Sequence, residues 1–181
     1  MPLDKTAVHW FPMRVAYHRE LRVRDELQRL NIEHYLPLMW TQRTCGGHVK
    51  RLQVPALNMV FVRSTQETIT QLKMYNPELA CLRYKMDVCR DTDAAAEIMT
   101  VPDRDMQCFM LATRKVDDRV HYLTYTDFLD KAGKKVKVID GDFAGVEGEI
   151  KRIKKDRVVV VCIRGIAAVS VQIPFNQLKF L

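Results

Sequence analysis

The stretch GKKVKVIDGDFAGVEGEIKRI, residues 133–153, decides the fold of the C-terminal part of the chain. Val136 and Val138 alternate with lysines, as in a strand that buries one face. Asp140-Gly141 predicts a turn, because glycine permits the positive φ that a tight loop requires. Phe143 can then cover the end of a small barrel that the flanking valines fill. The segment predicts short strands joined by tight turns.

The sequence that follows extends this β pattern to the end of the chain. Residues 158–163 are almost wholly β-branched, and residues 169–173 alternate apolar with polar side chains. Pro174 would interrupt a helix, and each glycine in this region would cost a helix about 1 kcal/mol relative to alanine. We therefore predict a five-stranded SH3-like barrel from Lys131 onward, and not a helical hairpin.

The composition indicates a soluble globular protein with two small domains. The chain has 181 residues, a formal net charge of +7, 48% hydrophobic and 28% charged residues, so it can bury a core. Five of its seven glycines, and most of its basic excess, fall after residue 130. We predict an N-terminal domain over residues 1–113, a linker over 114–130 and a C-terminal domain over 131–181.

The N-terminal part alternates between strand and helix patterns, which predicts an α/β sandwich and an α+β fold for the whole chain. Ser64 and Glu67 have capping-box spacing at the start of one helix. Asp103 is the predicted N-cap of another. Strands are predicted over 7–16, 34–41, 49–54, 58–63 and 81–86, a hairpin turn at 46–47, a loop over 87–97, and helices over 18–30, 64–76 and from 103 onward.

Residues 133–153 closely resemble the KOW motif of the NusG family of bacterial transcription elongation factors and of several ribosomal proteins. The residues that carry the motif are Val136, Val138, Gly141, Phe143, Gly145, Gly148 and Ile150. His9-Trp10-Phe11 opening a strand, a basic helix, and Val60-Phe61-Val62 before the next helix resemble the NusG N-terminal domain. The resemblance implies an N-terminal α/β sandwich followed by a small SH3-like KOW barrel.

The closing stretch RVVVVCIRGIAAVSVQIPFNQLKFL, residues 157–181, is similar to the UpxY-type paralogues, the antiterminators of capsular polysaccharide operons. The resemblance implies a transcription antitermination or elongation factor that binds RNA polymerase and suppresses pausing or termination. The alternative is a ribosome-associated RNA-binding protein that uses its KOW barrel on ribosomal RNA.

The resemblance also implies partners and the residues that contact them. In the family, an apolar patch docks on the clamp helices of the polymerase β′ subunit, and the domain reaches the β subunit. Here that patch would comprise Trp10, Met13, Leu57, Met59, Phe61 and Tyr84. The alternative is that these side chains are ordinary sheet core, which is the commoner role of apolar residues in strands.

Basic residues near the first helix provide a candidate nucleic-acid surface. In specialised relatives the corresponding region contacts the exposed non-template DNA strand, and nascent RNA is a second candidate. The residues here are Arg14, His18, Arg19 and Arg22. Such contacts would be directed at phosphates and sensitive to salt, whereas the alternative is a solvated charged face. The KOW domain of housekeeping relatives binds Rho or a ribosomal protein, which are further candidate partners.

The sequence predicts neither an enzyme nor a cofactor or metal site. The five cysteines form no C-x-x-C pair, the histidines have no ligand spacing, and no P-loop, G-x-S-x-G or G-x-G-x-x-G occurs. The longest apolar run, residues 158–163, is far short of the ~20 residues that span a bilayer. The first fifteen residues lack the continuous apolar region of a signal peptide. We expect a cytoplasmic binding protein with no membrane partner.

Overall fold

The structure is a computed structural model that describes residues 4–45, 48–87, 96–123, 133–153, 156–163 and 165–181. Within these ranges it contains three α-helices and fourteen strands. The chain divides into two compact units. Unit 1 comprises residues 1–37 and 55–103, and unit 2 comprises residues 38–54 and 104–181.

The bounds of the elements are as follows in chain order. The helices are α1 (Glu20–Arg29), α2 (Gln66–Tyr75) and α3 (Asp103–Thr113). The strands are β1 (His9–Val15), β2 (His34–Tyr35), β3 (Leu38–Cys45), β4 (His48–Pro55), β5 (Met59–Ser64), β6 (Leu82–Tyr84), β7 (Met86–Asp87), β8 (Glu97–Ile98), β9 (Val120–Leu123), β10 (Lys134–Val138), β11 (Glu147–Ile153), β12 (Asp156–Ile163), β13 (Ala167–Val171) and β14 (Leu178–Phe180).

Unit 1 is built on a four-stranded antiparallel sheet in the order β2-β5-β1-β6. Helix α1 buries Val23 and Leu27, which are four residues apart and therefore share a face. Helix α2 buries Ile69, and its Asn76 C-cap side chain donates a 2.6 Å hydrogen bond to Glu26 of α1. The strands and helices predicted for this region are confirmed, with end shifts of a few residues, except that the strand predicted over 34–41 is divided into β2 and β3, which belong to different sheets.

The predicted capping box at the start of α2 is wrong by one residue. Ser64 is still part of β5, where it pairs with His9 of β1. The N-cap is Thr65, whose Oγ1 accepts a 3.1 Å hydrogen bond from the backbone N–H of Thr68. Strand pairing therefore displaces the helix start beyond the position that the Ser64 and Glu67 spacing indicates.

Unit 2 contains a six-stranded antiparallel sheet in the order β14-β10-β11-β12-β13-β9. Residues 158–161 of β12 are four consecutive valines, all at most 5% exposed, so this central strand is buried on both faces. Val169 and Val171 of β13 are fully buried beside it. The predicted strands of the tail are confirmed.

The number of strands and their closure differ from the prediction. A sixth strand, β9, comes from the segment predicted as a linker, and pairs with β13 through Val169 opposite Tyr122. In the described residues the pairing leaves β14 and β9 as the two edges of the sheet. Closure into an SH3-like barrel is therefore not confirmed.

The compact units group the chain differently from the predicted domains over 1–113, 114–130 and 131–181, whose boundaries stay a prediction. The two-stranded ribbon β3–β4, except for its last residue Pro55, and all of α3 beyond its first residue belong to unit 2. The indole N–H of Trp40 in β3 donates a 2.8 Å hydrogen bond to the Val116 carbonyl, and the Tyr122 hydroxyl donates to the Leu38 carbonyl at 3.3 Å. These contacts join segments about 80 residues apart in the chain. The domain boundaries predicted along the sequence separate such segments.

Two predicted features fall outside the described residues. The hairpin turn at 46–47 connects the observed strands β3 and β4, but its own residues are not described. Of the predicted loop over 87–97, only the ends are described, where β7 pairs with β8. None of the helices in the described ranges is long and apolar enough to cross a membrane.

Candidate functional site

The six residues predicted to bind polymerase lie in unit 1 but do not form one patch. Residues directly opposite each other in an antiparallel pair share a face, and successive residues alternate. Phe61 lies opposite Pro12 and Met59 opposite Arg14, so both share a face with Trp10. Met13 lies opposite Tyr84, on the other face. Leu57 lies in the bend before β5.

Burial further separates these residues. Met13 and Phe61 are 0% exposed, Trp10 is 3% and Met59 6% exposed, whereas Leu57 and Tyr84 are half-buried. A fully buried side chain offers no surface to a partner. In this conformation the four buried residues therefore belong to the core of unit 1: Trp10, Met13, Met59 and Phe61. Their contact with polymerase stays a prediction, and it requires that they be uncovered.

Tyr84 is tied to helix α2. Its hydroxyl donates a 3.1 Å hydrogen bond to the Gln66 carbonyl, and its ring meets that of Phe11 edge-on, with centroids 5.8 Å apart. The ammonium of Lys73 lies 4.5 Å from the ring centroid of Tyr84. Burial raises the pKa of Tyr84 and lowers the pKa of Lys73. Helix α2 therefore lies on the sheet face that carries Met13 and Tyr84.

The four predicted nucleic-acid residues are all exposed and lie close together in the chain. Arg14 is in β1, His18 and Arg19 lie between β1 and α1, and Arg22 is in the first turn of α1. None of the four forms an ion pair within the described ranges. The three arginines are therefore exposed cations without an acidic partner there.

The acidic residues of α1 do not neutralise this surface. Glu20 is 4% exposed and Asp25 pairs with Arg24 at 2.7 Å. Glu26 pairs with Arg29 at 2.6 Å. The hydrogen bond from Arg29, which has the larger effect, and the one from Asn76 lower the pKa of Glu26 to about 2. Each carboxylate is thus buried or paired elsewhere.

Two further residues join this surface that the sequence reasoning missed. Arg83 of β6 lies directly opposite Arg14 of β1. Burial, the main effect, raises the pKa of the Cys81 thiol, and the nearby charges of Arg19 and Arg83 both act to lower it. Arg83 therefore lies near the predicted arginines, and cross-strand pairing, which no sequence pattern revealed, brings it there.

The second missed residue is Tyr17, which is 82% exposed. Tyr17 and the adjacent His18 both adopt left-handed backbone conformations, with φ of 64° and 51°. This geometry is uncommon for residues other than glycine, and strained backbone of this kind is enriched at functional sites. We name the set Arg14, Tyr17, His18, Arg19, Arg22 and Arg83 the basic surface of unit 1. It combines four arginines that form no ion pair in the described residues with an exposed aromatic ring.

The predicted motif residues of unit 2 form a strand, a glycine turn and a second strand. Gly141 and Gly145 have φ of 84° and 92°, so the turn uses the left-handed region that favours glycine. Phe143 is 4% exposed, with the guanidinium of Arg119 4.9 Å from its ring centroid. A Cβ on Gly148 would lie 2.5 Å from the Val160 carbonyl oxygen, so β11 and β12 need glycine there.

A comparison with protein families supports this assignment. Residues 132–162 match the KOW motif, which fits both NusG-like and ribosomal RNA-binding proteins. No curated protein is significantly similar to the chain. The comparisons therefore identify the motif, and the choice between these two classes rests on other features.

A cavity of about 450 Å³ in unit 2 carries several ionisable groups. Arg104 and Glu147 form an ion pair there, and Lys137 also pairs with Glu147 at 3.2 Å. The hydrogen bond from Arg104, which has the larger effect, and the one from Lys137 lower the pKa of Glu147. In the described part of the chain, no group of three or more His, Cys, Asp and Glu could hold a metal ion.

Proposed function

We propose that this protein is a NusG-type transcription antitermination or elongation factor that binds RNA polymerase and suppresses pausing or termination. The observation that carries the proposal is the separate α/β unit that accompanies the KOW motif: a four-stranded antiparallel sheet with helices α1 and α2. A protein that used only its KOW domain on ribosomal RNA would not need unit 1. The finer assignment, to the UpxY-type antiterminators of capsular polysaccharide operons, rests on residues 157–181 alone.

The proposed mechanism requires no catalytic residue. Binding to the β′ clamp helices and the β subunit favours the closed, pause-resistant state of polymerase, because a ligand shifts a conformational equilibrium toward the state it binds better. Trp10, Met59 and Phe61, which share one face of the sheet, and the nearby Leu57 form the proposed contact set. Three of these four are buried, so docking includes uncovering that face.

The basic surface of unit 1 is proposed to hold the exposed non-template DNA strand, with nascent RNA as the other candidate. Its arginines would contact phosphates, and Tyr17 would stack on an unpaired base, since aromatic rings bind single strands in this way. Through its KOW domain the protein would bind Rho or a ribosomal protein. This function places it in the cytoplasm.

The decisive experiment is a pull-down with the full-length protein against purified core RNA polymerase and, separately, ribosomes. We expect recovery of polymerase. Leu57→Ser should weaken it, because Leu57 is the half-buried member of the contact set and can be changed with less damage to the core than Phe61. Met74→Ser, at a side chain that is 70% exposed on α2, is the matched control and should bind as the parent does.

Recovery of ribosomes without polymerase would favour the alternative, a ribosome-associated RNA-binding protein. The basic excess of the C-terminal part, which has 11 Lys and Arg against 5 Asp and Glu after residue 130, is the observation that supports it. Equal polymerase binding by the parent and Leu57→Ser would remove Leu57 from the contact set.

A further inference from the structure

The ribbon formed by β3 and β4 is an unusual element of unit 2. Among the strands that the structure describes, its two strands pair only with each other, and six of the eight residues of β4 are exposed. Residues 38–55 include Arg43, Lys50 and Arg51 and not one Asp or Glu. An exposed, acid-free ribbon stands out in a chain that has 22 acidic residues.

The two faces of the ribbon have different roles. The guanidinium of Arg51 lies 4.7 Å from the ring centroid of Trp40, so these two side chains share a face. The Trp40 side chain bonds to the Val116 carbonyl, and Arg51 forms an ion pair with Asp118. On this face Trp40 and Arg51 are therefore held by contacts within unit 2.

Alternation along both strands assigns the remaining side chains to the opposite face. If Trp40 and Arg51 share one face, odd-numbered residues of β3 and even-numbered residues of β4 share the other. They include Met39, Thr41, Arg43, His48, Lys50 and Leu52, of which all but Thr41 are exposed. We name this set the outer face of the ribbon.

The outer face carries cations without partners. In the ranges that the structure describes, neither Arg43 nor Lys50 forms an ion pair, whereas Arg51 on the inner face does. Like charges on one face of a two-stranded ribbon repel each other. A polyanion seated on this face would relieve that repulsion, so the charge pattern indicates the kind of ligand.

We propose that the outer face of the ribbon binds duplex DNA, by insertion into the major groove. That groove is about 12 Å wide and admits a two-stranded β-ribbon. Arg43 and Lys50 contact phosphates, while Thr41 and His48 face the groove with hydrogen-bonding groups. This site lies in unit 2, is made of other residues than the basic surface of unit 1, and does not depend on polymerase binding.

The test measures binding of the full-length protein to a labelled duplex of about 20 base pairs, and to a single strand of the same length, by fluorescence anisotropy over a range of salt concentrations. The ribbon variant is Arg43→Gln with Lys50→Gln. We expect its Kd for duplex to rise about tenfold or more near 0.1 M salt, and the log–log salt slope to fall by about 1.8, for two lost phosphate contacts. Its single-strand affinity should be unchanged.

The matched control is Lys135→Gln with Lys179→Gln, which removes the same charge from exposed positions of unit 2. It should bind duplex as the parent does. Because all four substituted side chains are exposed, both variants should fold, which circular dichroism melting checks. The proposal would be overturned if the parent did not bind duplex, or if the ribbon variant bound duplex with the parent's Kd. It would also be overturned if the control variant lost as much duplex affinity as the ribbon variant, or if poly-glutamate displaced the duplex as readily as unlabelled DNA does.

Discussion

Arg119 donates a 2.8 Å hydrogen bond from Nη2 to Oδ2 of Asp142, which connects the residue before β9 to the glycine turn after β10. Lys115 donates to the other carboxylate oxygen of Asp142 at 2.7 Å. The bond from Lys115, which has the larger effect, and the bond from Arg119 together lower the pKa of Asp142 to about 2. Within unit 2 the KOW turn is thus attached to the segment that was predicted to be a linker.

This linkage predicts an acid dependence of stability. A carboxylate whose folded pKa is depressed stabilises the fold above its unfolded pKa, near 3.8, and loses that contribution as pH falls toward about 2. We expect Asp142→Asn to lower the melting temperature above pH 4, and to melt like the parent near pH 2. Asp140→Asn, a change at an exposed carboxylate in the same turn, is the control. A parent–variant difference that persists unchanged to pH 2 would contradict the assignment.

Gly148 should tolerate no side chain. A Cβ there would meet the Val160 carbonyl oxygen at 2.5 Å, and neither paired strand can move away without losing ladder hydrogen bonds. We expect Gly148→Ala to destabilise the protein by about 1–3 kcal/mol, the usual cost of overpacking, as measured by urea unfolding.

Gly145 provides the comparison for that measurement. Its Cβ would meet only Leu111 at 3.8 Å, but its φ is 92°. Gly145→Ala should therefore cost about 1–2 kcal/mol through backbone strain alone. Parent-like stability of Gly148→Ala would contradict the close approach of β11 and β12 at this position.

Thr65 should matter more to α2 than Ser64. Thr65→Ala removes the side-chain acceptor for the Thr68 N–H and should cost about 1 kcal/mol of unfolding free energy. Ser64→Ala leaves that hydrogen bond in place and should cost less. Urea unfolding measures both losses. A larger loss of unfolding free energy in Ser64→Ala than in Thr65→Ala would support the capping box predicted from the sequence.

Tyr17 should contribute to single-strand binding but not to the fold, because it is largely exposed. Tyr17→Ala should weaken binding to single-stranded DNA by about 1–3 kcal/mol, the range for one stacked base, with little change in salt slope. Tyr75→Ala, at a tyrosine that is 79% exposed on α2, is the control. Equal loss in both variants, in an anisotropy titration, would reject stacking by Tyr17.

The sequence predicted the local elements well because their signals are local. The valine run of β12 and the glycine turn between β10 and β11 fix strands through β-branching and backbone freedom. Helix α1 shows its buried face through Val23 and Leu27. By contrast, β9 has only four residues, Val120–Leu123, and it is a strand because β13 pairs with it. No local pattern could predict that pairing.

The candidate sites were less predictable for a related reason. Apolar side chains such as Trp10 and Phe61 appear the same in sequence whether they are buried or face a partner, and only the register of β1 with β5 and β6 separates their face from that of Met13. The basic residues near α1 were recognisable from their charge. Arg83 was not, because cross-strand pairing alone places it beside Arg14.

The position of β9 at the edge of the sheet has a consequence for any attempt to isolate the C-terminal part. A fragment beginning at Lys131 would lack β9 and leave β13 as an edge, with unpaired N–H and C=O groups along Ala168–Val171. Long apolar edges pair readily with other chains, and this one carries Val169 and Val171. Such a fragment should self-associate, whereas one that begins before Val120 keeps the edge paired.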